Sequence, residues 1–379
     1  MFFKYTRDKN YLDKTFQKLL LPFRILHHML FLSRFSISHN TIRPHGYIYY
    51  IWSFVGTFCF IIYHIKYLKA ENESYLSNQF LLNFENVHIF ISVIPFFIFY
   101  FLNIIQRRDH VKLILKIQKV FRAIHYREYR QTILWIWSLM ARHFICLLLS
   151  IALIPNLKLA LYLFTLIYSD IHISYAVCLI NLIRKGVLGW ISKVENHVSL
   201  EANVQEHFEK LFQAYVDLMD AFEIFKDIFK YTILHQAVDT FIHSLIYVQS
   251  VTEISKSGLT KYSDYKLYLR HIFQTLINEF LTLVLLWIIK NIMFVTIFCV
   301  HCENFYITVS EADAACSRWR KHILSTSQAK KLCKNVQRLN RAAFRKMTAC
   351  HIFTMDARMA QAFNSLEVEY IVILLQFAF

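Results

Sequence analysis

Seven stretches of the chain are apolar enough and long enough to cross a bilayer as helices. They run over Tyr47–Ile65, about Leu82–Ile105 with Pro95 near its middle, about Thr132–Ile154, Lys158–Ile183, about Lys230–Ile254, about His271–Cys302, and Asn364–Phe379. Between them the pattern changes. Over Ser192–Phe229, Val194, Val198, Val204, Phe208, Phe212, Val216 and Phe222 recur at four- to six-residue steps among charges. That spacing predicts long amphipathic helices continuing the fourth and fifth stretches beyond the membrane. Residues 1–46 carry no signal-peptide pattern: five lysines or arginines precede any apolar run, and the first such run is broken by Arg24, His27 and His28.

Composition agrees with a membrane origin for that pattern. Of 379 residues, 56% are apolar and 17% aromatic, only 18% are charged, and Gly and Pro number 5 and 4. A soluble core cannot hide so much apolar chain. The scarcity of glycine and proline also excludes collagen-like, low-complexity and turn-rich all-β chains. The fold class that follows is an all-α integral membrane protein with seven transmembrane helices.

The net charge of +16 changes the picture through its placement. Segments 1–46, 106–131, 184–230 and 301–346 hold eight, eight, six and ten Lys or Arg, whereas the alternate loops together hold seven. Basic loops stay on the cytoplasmic side, so the N-terminus is expected inside and the C-terminus outside. The same clustering between apolar runs leaves no basic, aromatic-lined groove for nucleic acid. The one Asn-x-Ser/Thr sequon, at Asn72, falls in a loop this topology places outside, making Asn72 the candidate glycosylation site. None of the eight cysteines falls in an external loop, so no disulfide is expected. A G-protein-coupled receptor would have the opposite orientation, and neither an Asp-Arg-Tyr run after the third stretch nor an Asn-Pro pair in the seventh is present.

The last stretch differs from the others. Asn364–Phe379 is sixteen residues, a short helix of roughly 24 Å against a hydrocarbon layer of about 30 Å. It carries Asn364, Glu367, Glu369 and Gln376, and polar groups at membrane depth usually face a bundle interior or a water-filled path. Several copies packed around a pore would suit it.

Within it, Glu369-Tyr370-Ile371-Val372-Ile373-Leu374-Leu375-Gln376-Phe377 resembles the C-terminal signature of the insect gustatory receptor family: Thr-Tyr, five hydrophobic residues, Gln-Phe. Only the Thr departs, replaced by Glu369. The run Thr348–Asp356 also resembles the family's approach to its seventh helix, and length and inferred topology agree over the whole chain. The resemblance implies a homotetrameric, ligand-gated, non-selective cation channel in the plasma membrane of sensory neurons, with co-receptor subunits as further partners in some assemblies. On that comparison the chain divides into a cytoplasmic segment 1–46, a six-helix ligand-sensing domain 47–300 with helix extensions over about 184–230, a cytoplasmic anchor 301–363, and a pore-lining helix 364–379. Glu369, Tyr370, Ile373, Gln376 and Phe377 would then be pore or gate residues, with Glu369 either attracting cations or ion-paired to Arg358. Sugar receptors of the family tend to carry an acid after the motif tyrosine, where this chain has Ile371. The stretch from Phe23 to Ile51 resembles the moth and butterfly branch tied to bitter and plant-derived compounds, so such a tastant is expected over a sugar.

Ionisable groups inside the stretches are functional candidates because lipid penalises them. Given the inferred orientation, Tyr162, Tyr168, Asp170, Asp239, His243, Tyr247, Gln274, Asn278 and Glu279 would line an outward-opening pocket with aromatic walls and a polar floor. The alternative is that they only tie helices together. Asp239 and His243 are four apart and share a helix face, whereas Asp170 and His172 do not. Cys299-Val300-His301-Cys302 has no second pair to complete a zinc site, and Glu85-x-x-His88 has no second copy. No enzyme, cofactor or metal is therefore expected. A multi-span transporter is the alternative function, although no internal repeat accompanies it.

Overall fold

The computed structural model describes residues 10–72, 79–153, 157–196, 204–261, 267–321 and 327–378; the side chains of 67–88, 149–167 and 253–284 fall outside the description. Among the described residues ten helices and two small hairpins follow one another: α1 (Lys14–Met29), β1 (Ser36–Ser38), β2 (Thr41–Arg43), α2 (Tyr47–Asn72), α3 (Gln79–Ile105), α4 (Arg107–Ala123), α5 (Tyr129–Leu153), α6 (Leu157–Asn196), α7 (Val204–Lys261), α8 (Leu267–Lys321), α9 (Ser327–Ala343), β3 (Thr348–Ala349), β4 (Phe353–Thr354) and α10 (Ala357–Ala378). About 85% of the structure is helical. Each of the seven apolar stretches lies on a helix of its own.

Among the described residues three of these helices are apolar enough to cross a membrane alone, over Tyr47–Lys66, Tyr168–Glu195 and Leu285–Arg320. A fourth arises if Ile89–Ile105 and Arg107–Ala123, bent by 65° at Gln106, count as one broken span. The protein is thus an all-α membrane protein. Of the segment expected to continue the fourth and fifth stretches, residues 192–196 lie on α6 and 204–229 on α7, with 197–203 outside the described residues. Helices α6, α7 and α8 have 40, 58 and 55 residues, or about 60, 87 and 82 Å at 1.5 Å per residue. Each is two to three times the depth of a hydrocarbon layer.

The expectation of a short last helix is corrected. It begins at Ala357 and has 22 residues, about 33 Å, a length comparable to the hydrocarbon depth of a bilayer. The reason is its start. Asp356 accepts the Met359 amide on Oδ1 at 3.0 Å, a cap that lets Ala357–Phe363 join the apolar run. The preceding hairpin is pinned by one residue of α8. The Tyr306 hydroxyl donates to the Met355 carbonyl at 3.0 Å and accepts the Met347 amide at 3.0 Å.

Residues 10–46 pack into the same core as the long helices. Phe16, Leu19, Leu20 and Phe23 of α1 are buried, and Arg122 of α4 grips Asp13 through two bonds of 2.6 and 2.7 Å. At the end of α1 the Leu32 and Phe31 amides bond the carbonyls of His27 and His28 at 2.7 and 3.1 Å. This is a Schellman motif, with Phe31 at φ 57° where glycine is usual. His39 and Asn40, both at positive φ, form the two-residue turn that joins β1 to β2. At Gly186 a Cβ would lie 2.6 Å from Leu218 Cδ2, so any larger residue there would require the Leu218 side chain of α7 to shift.

The turn after α1 delivers Arg34 into the core. Its guanidinium donates through Nη1 to His110 Nε2 of α4 and through Nη2 to His172 Nδ1 of α6. It lies over the rings of Tyr175 and Phe229, at 5.0 and 5.8 Å. Acidic groups of α7 pair with α4 rather than with the basic segment 318–346: Asp217 and Asp220 take Lys116 and Lys119 at 2.6–3.3 Å. Arg318 does reach Glu195 at the end of α6.

His27 of α1 is 2% exposed. Burial first, and then the Arg34 guanidinium and His28, hold it well below the ordinary 6.5. Above pH 6.5 the unfolded chain is neutral here too, and its full stability is present. As pH falls below 6.5 the unfolded chain binds a proton that the folded chain refuses, and stability is lost. The expected result is a Tm that drops between about pH 7 and 5, with a smaller drop in His27→Leu. Identical pH profiles for the two proteins would refute the assignment.

Candidate functional site

Five helices meet around one cavity. Its wall comprises His64 of α2, Ser92, Pro95 and Phe96 of α3, Tyr168, Ser169 and Asp170 of α6, Gln236, Asp239, His243 and Tyr247 of α7, and Trp287, Lys290 and Asn291 of α8. Its empty space is about 540 Å³, part of it open to solvent, and about 50 Å³ can hold the centre of a water-sized sphere. One water needs only ~10–15 Å³ by that measure. Several waters fit in that space, and an organic molecule would occupy its open mouth as well.

Helical periodicity aims these side chains. On α7, Gln236, Asp239, His243 and Tyr247 lie at steps of three and four along one face; on α8, Trp287, Lys290 and Asn291 do the same. On α6, Asp170 and His172 diverge as their spacing requires: the first faces the cavity and Lys290, the second faces Arg34.

The charged groups of the wall are paired. Lys290 Nζ donates to Asp170 Oδ2 at 2.7 Å. His243 Nδ1 lies 3.1 Å from Asp239 Oδ1. His64 Nε2 and the Ser92 hydroxyl are 3.0 Å apart; since that hydroxyl donates to the Ile89 carbonyl at 3.0 Å, it accepts from His64. Behind Asp170, His143 of α5 meets Ser174 at 2.9 Å. The aromatic groups stand on two sides. Phe96 and Tyr168 are 4.6 Å apart between ring centroids, and Tyr247 meets Trp287 edge-on at 4.9 Å. Paired ions with aromatic walls make this the candidate binding cavity. Among the described residues no group of three or more His, Cys, Asp or Glu is arranged to hold a metal. Cys299 and Cys302 are free and buried, with Cys299 Sγ 3.9 Å from Met359 Sδ.

No family model matches the chain, and no curated protein matches it.

Of the nine pocket residues expected from sequence, Tyr168, Asp170, Asp239, His243 and Tyr247 lie on the cavity wall. The side chains of Tyr162, Gln274, Asn278 and Glu279 lie outside the described residues, as do those of Asn72 and Phe377. His64, Ser92, Pro95, Phe96, Ser169, Gln236, Trp287, Lys290 and Asn291 complete the wall without having been singled out as pocket residues. Extending the Asp239–His243 face by one turn in each direction would have reached Gln236 and Tyr247. No such local signal points to α2 or α3, whose contribution depends on tertiary packing.

The last helix has two faces. Ala360, Phe363 and Glu367 are buried, with Ile371 and Leu374 partly buried against Val248 of α7 and Ile288 of α8. Neither oxygen of Glu367 has a hydrogen-bond partner among the described residues. On the opposite side Gln361, Ser365, Glu369, Ile373 and Gln376 are exposed, whereas Tyr370, also exposed, lies at the edge of the buried face, seven residues from Phe363. Tyr370 keeps one edge against Phe241 of α7, with centroids 5.3 Å apart. No ion pair joins Glu369 to Arg358 among the described residues.

Lys290 is 32% exposed at its side chain and Asp170 only 6%, so losing either partner has unequal cost. Lys290→Met should destabilise by about 3 kcal/mol because it strands a buried carboxylate. Asp170→Asn should cost less, since the ammonium retains cavity water. The double substitution should recover part of the loss. Additive effects in a thermal double-mutant cycle would show that the pair is not coupled.

Proposed function

We propose that the chain is a chemosensory receptor of the insect gustatory receptor kind: a ligand-gated, non-selective cation channel of four copies in the plasma membrane. In this reading the chain crosses the membrane seven times with its N-terminus inside. A small organic tastant, bitter or plant-derived rather than a sugar, occupies the cavity among α2, α3, α6, α7 and α8, and α10 lines the pore.

The observation that carries the reading is the exposed face of α10. Gln361, Ser365, Glu369 and Gln376 recur at steps of four, four and seven, a polar stripe along a helix long enough to span. Beside it lie exposed Leu366, Val368, Val372 and Ile373. Facing lipid, that stripe would be costly; facing its own copies around a water-filled axis, it would be solvated. Glu369 then contributes one carboxylate per subunit, a ring that concentrates cations. The departure from the family signature at Glu369 fits this role better than an ion pair with Arg358.

Ligand binding acts on gating only through a difference in affinity between the closed and open arrangements. The cavity and α10 share α7 and α8 as walls, so such a difference has a short path to the pore helix.

Whole-cell recording on the chain expressed alone, with a panel of alkaloids, plant metabolites and sugars, tests the reading. A ligand-evoked cation current is expected. Glu369→Gln should lower single-channel cation conductance by about twofold or more, and Gln376→Ala should alter conductance or gating. A surface-expressed chain that is monomeric and takes up substrate without current would be the multi-span transporter instead.

A further inference from the structure

Three polar atoms on the cavity wall are unspent: the Tyr168 hydroxyl and one atom on each of two side-chain amides. Gln236 and Asn291 are each 2% exposed, and both line the cavity. Gln236 Oε1 and Asn291 Nδ2 have no hydrogen-bond partner among the described residues. One is an acceptor on α7 and the other a donor on α8. Leaving a buried amide group unpaired costs about 1–3 kcal/mol, so a molecule that satisfies both recovers that cost on binding.

The ions beside them are in the opposite condition. Asp170 holds Lys290 and Asp239 holds His243. The ammonium of Lys290 also lies 5.9 Å from the centroid of Trp287, so the aromatic face that would cage an organic cation already has one. A charged ligand would have to break an ion pair or sit beside a like charge. A neutral ligand meets neither penalty.

We infer that the cavity takes a small neutral aromatic molecule bearing one hydrogen-bond donor for Gln236 Oε1 and one acceptor for Asn291 Nδ2. Its flat body lies among Phe96, Tyr168, Tyr247 and Trp287. This deepens the proposed reading of the cavity as the tastant site and rests on it for physiological meaning, although binding itself needs no channel. Selectivity here follows from polar groups that punish a mismatch, a stronger device than apolar fit alone.

Three probes of similar size and different charge separate the possibilities: 4-hydroxybenzamide, which is neutral, tyramine, a cation, and 4-hydroxybenzoate, an anion. Equilibrium dialysis against the purified full chain in nanodiscs should show 4-hydroxybenzamide bound at least tenfold more tightly than either charged probe. Asn291→Asp replaces the donor with a carboxylate at constant shape. It should lose the neutral probe about tenfold and shift preference toward tyramine, and Gln236→Leu should weaken the neutral probe without favouring a cation. The wild-type selectivity decides alone if a variant fails to elute as a monodisperse species. Equal affinity for the three, tighter binding of a charged probe, binding of none, or neutral binding unchanged in both folded variants would overturn the inference. Selective dialysis with no current from surface-expressed chain would instead sink the channel reading and leave this one standing.

Discussion

A helix buried on all sides must find partners within the protein for every polar group it carries, and α6 is that helix. Over Tyr168–Glu195, 83% of the apolar stretch is buried, against 33% for Tyr47–Lys66 and 39% for Leu285–Arg320. Its polar residues therefore dictate which neighbours surround it. Asp170 takes Lys290 from α8 and His172 takes Arg34 from the turn after α1. Ser174 and Lys185 take His143 and Thr132 of α5. Arg184 takes Thr308 of α8 at 3.2 Å, and the Trp190 indole donates to the Leu211 carbonyl of α7 at 2.9 Å. Gly186 admits α7 closely between these points. The bundle is assembled around a central rod whose buried polar groups specify its neighbours, since apolar packing alone would tolerate many rotations of each helix.

Arg34 shows how far that constraint reaches. A buried guanidinium normally answers a carboxylate; here it is held by two imidazole nitrogens and two aromatic faces. The ring nitrogens can accept only as neutral histidines. The N-terminal hairpin and α1 are thereby joined to α4, α6 and α7 through an interaction that depends on proton occupancy. It also leaves Asp170, half a turn away on α6, to form the ion pair of the cavity.

What could be read from sequence divides along the range of the interactions. The seven long helices were legible because apolar runs and the lack of glycine and proline are local properties. Asp239–His243 was legible for the same reason: four residues on one helix define a face. The length of α10 was not, because it depends on Asp356 capping the helix and on a hairpin held by Tyr306, fifty residues away. The pairing of Asp217 with Lys116 and Lys119 was equally hidden, since opposite charges on three segments allow more than one match. Gln236 was within reach as a turn-neighbour of Asp239, while His64 and Phe96 joined the cavity only through packing of α2 and α3 against α6.

The relation between the cavity and α10 follows from the same geometry. Trp287 and Tyr247 form one wall of the cavity, and both pack against the Val248–Ile288 cluster on which Ile371 and Leu374 rest. Two layers of side chains separate a molecule in the cavity from the seat of the last helix. Protein interiors pack at crystal density and rearrange between discrete states instead of yielding continuously. A ligand that shifts α7 relative to α8 at Trp287 therefore acts where Ile371 and Leu374 must fit. On the proposed reading, α10 would respond by reseating Phe363, Glu367 and Ile371 as a unit. That movement would carry the exposed stripe of Ser365, Glu369 and Gln376 with it, because both faces belong to one helix of 22 residues.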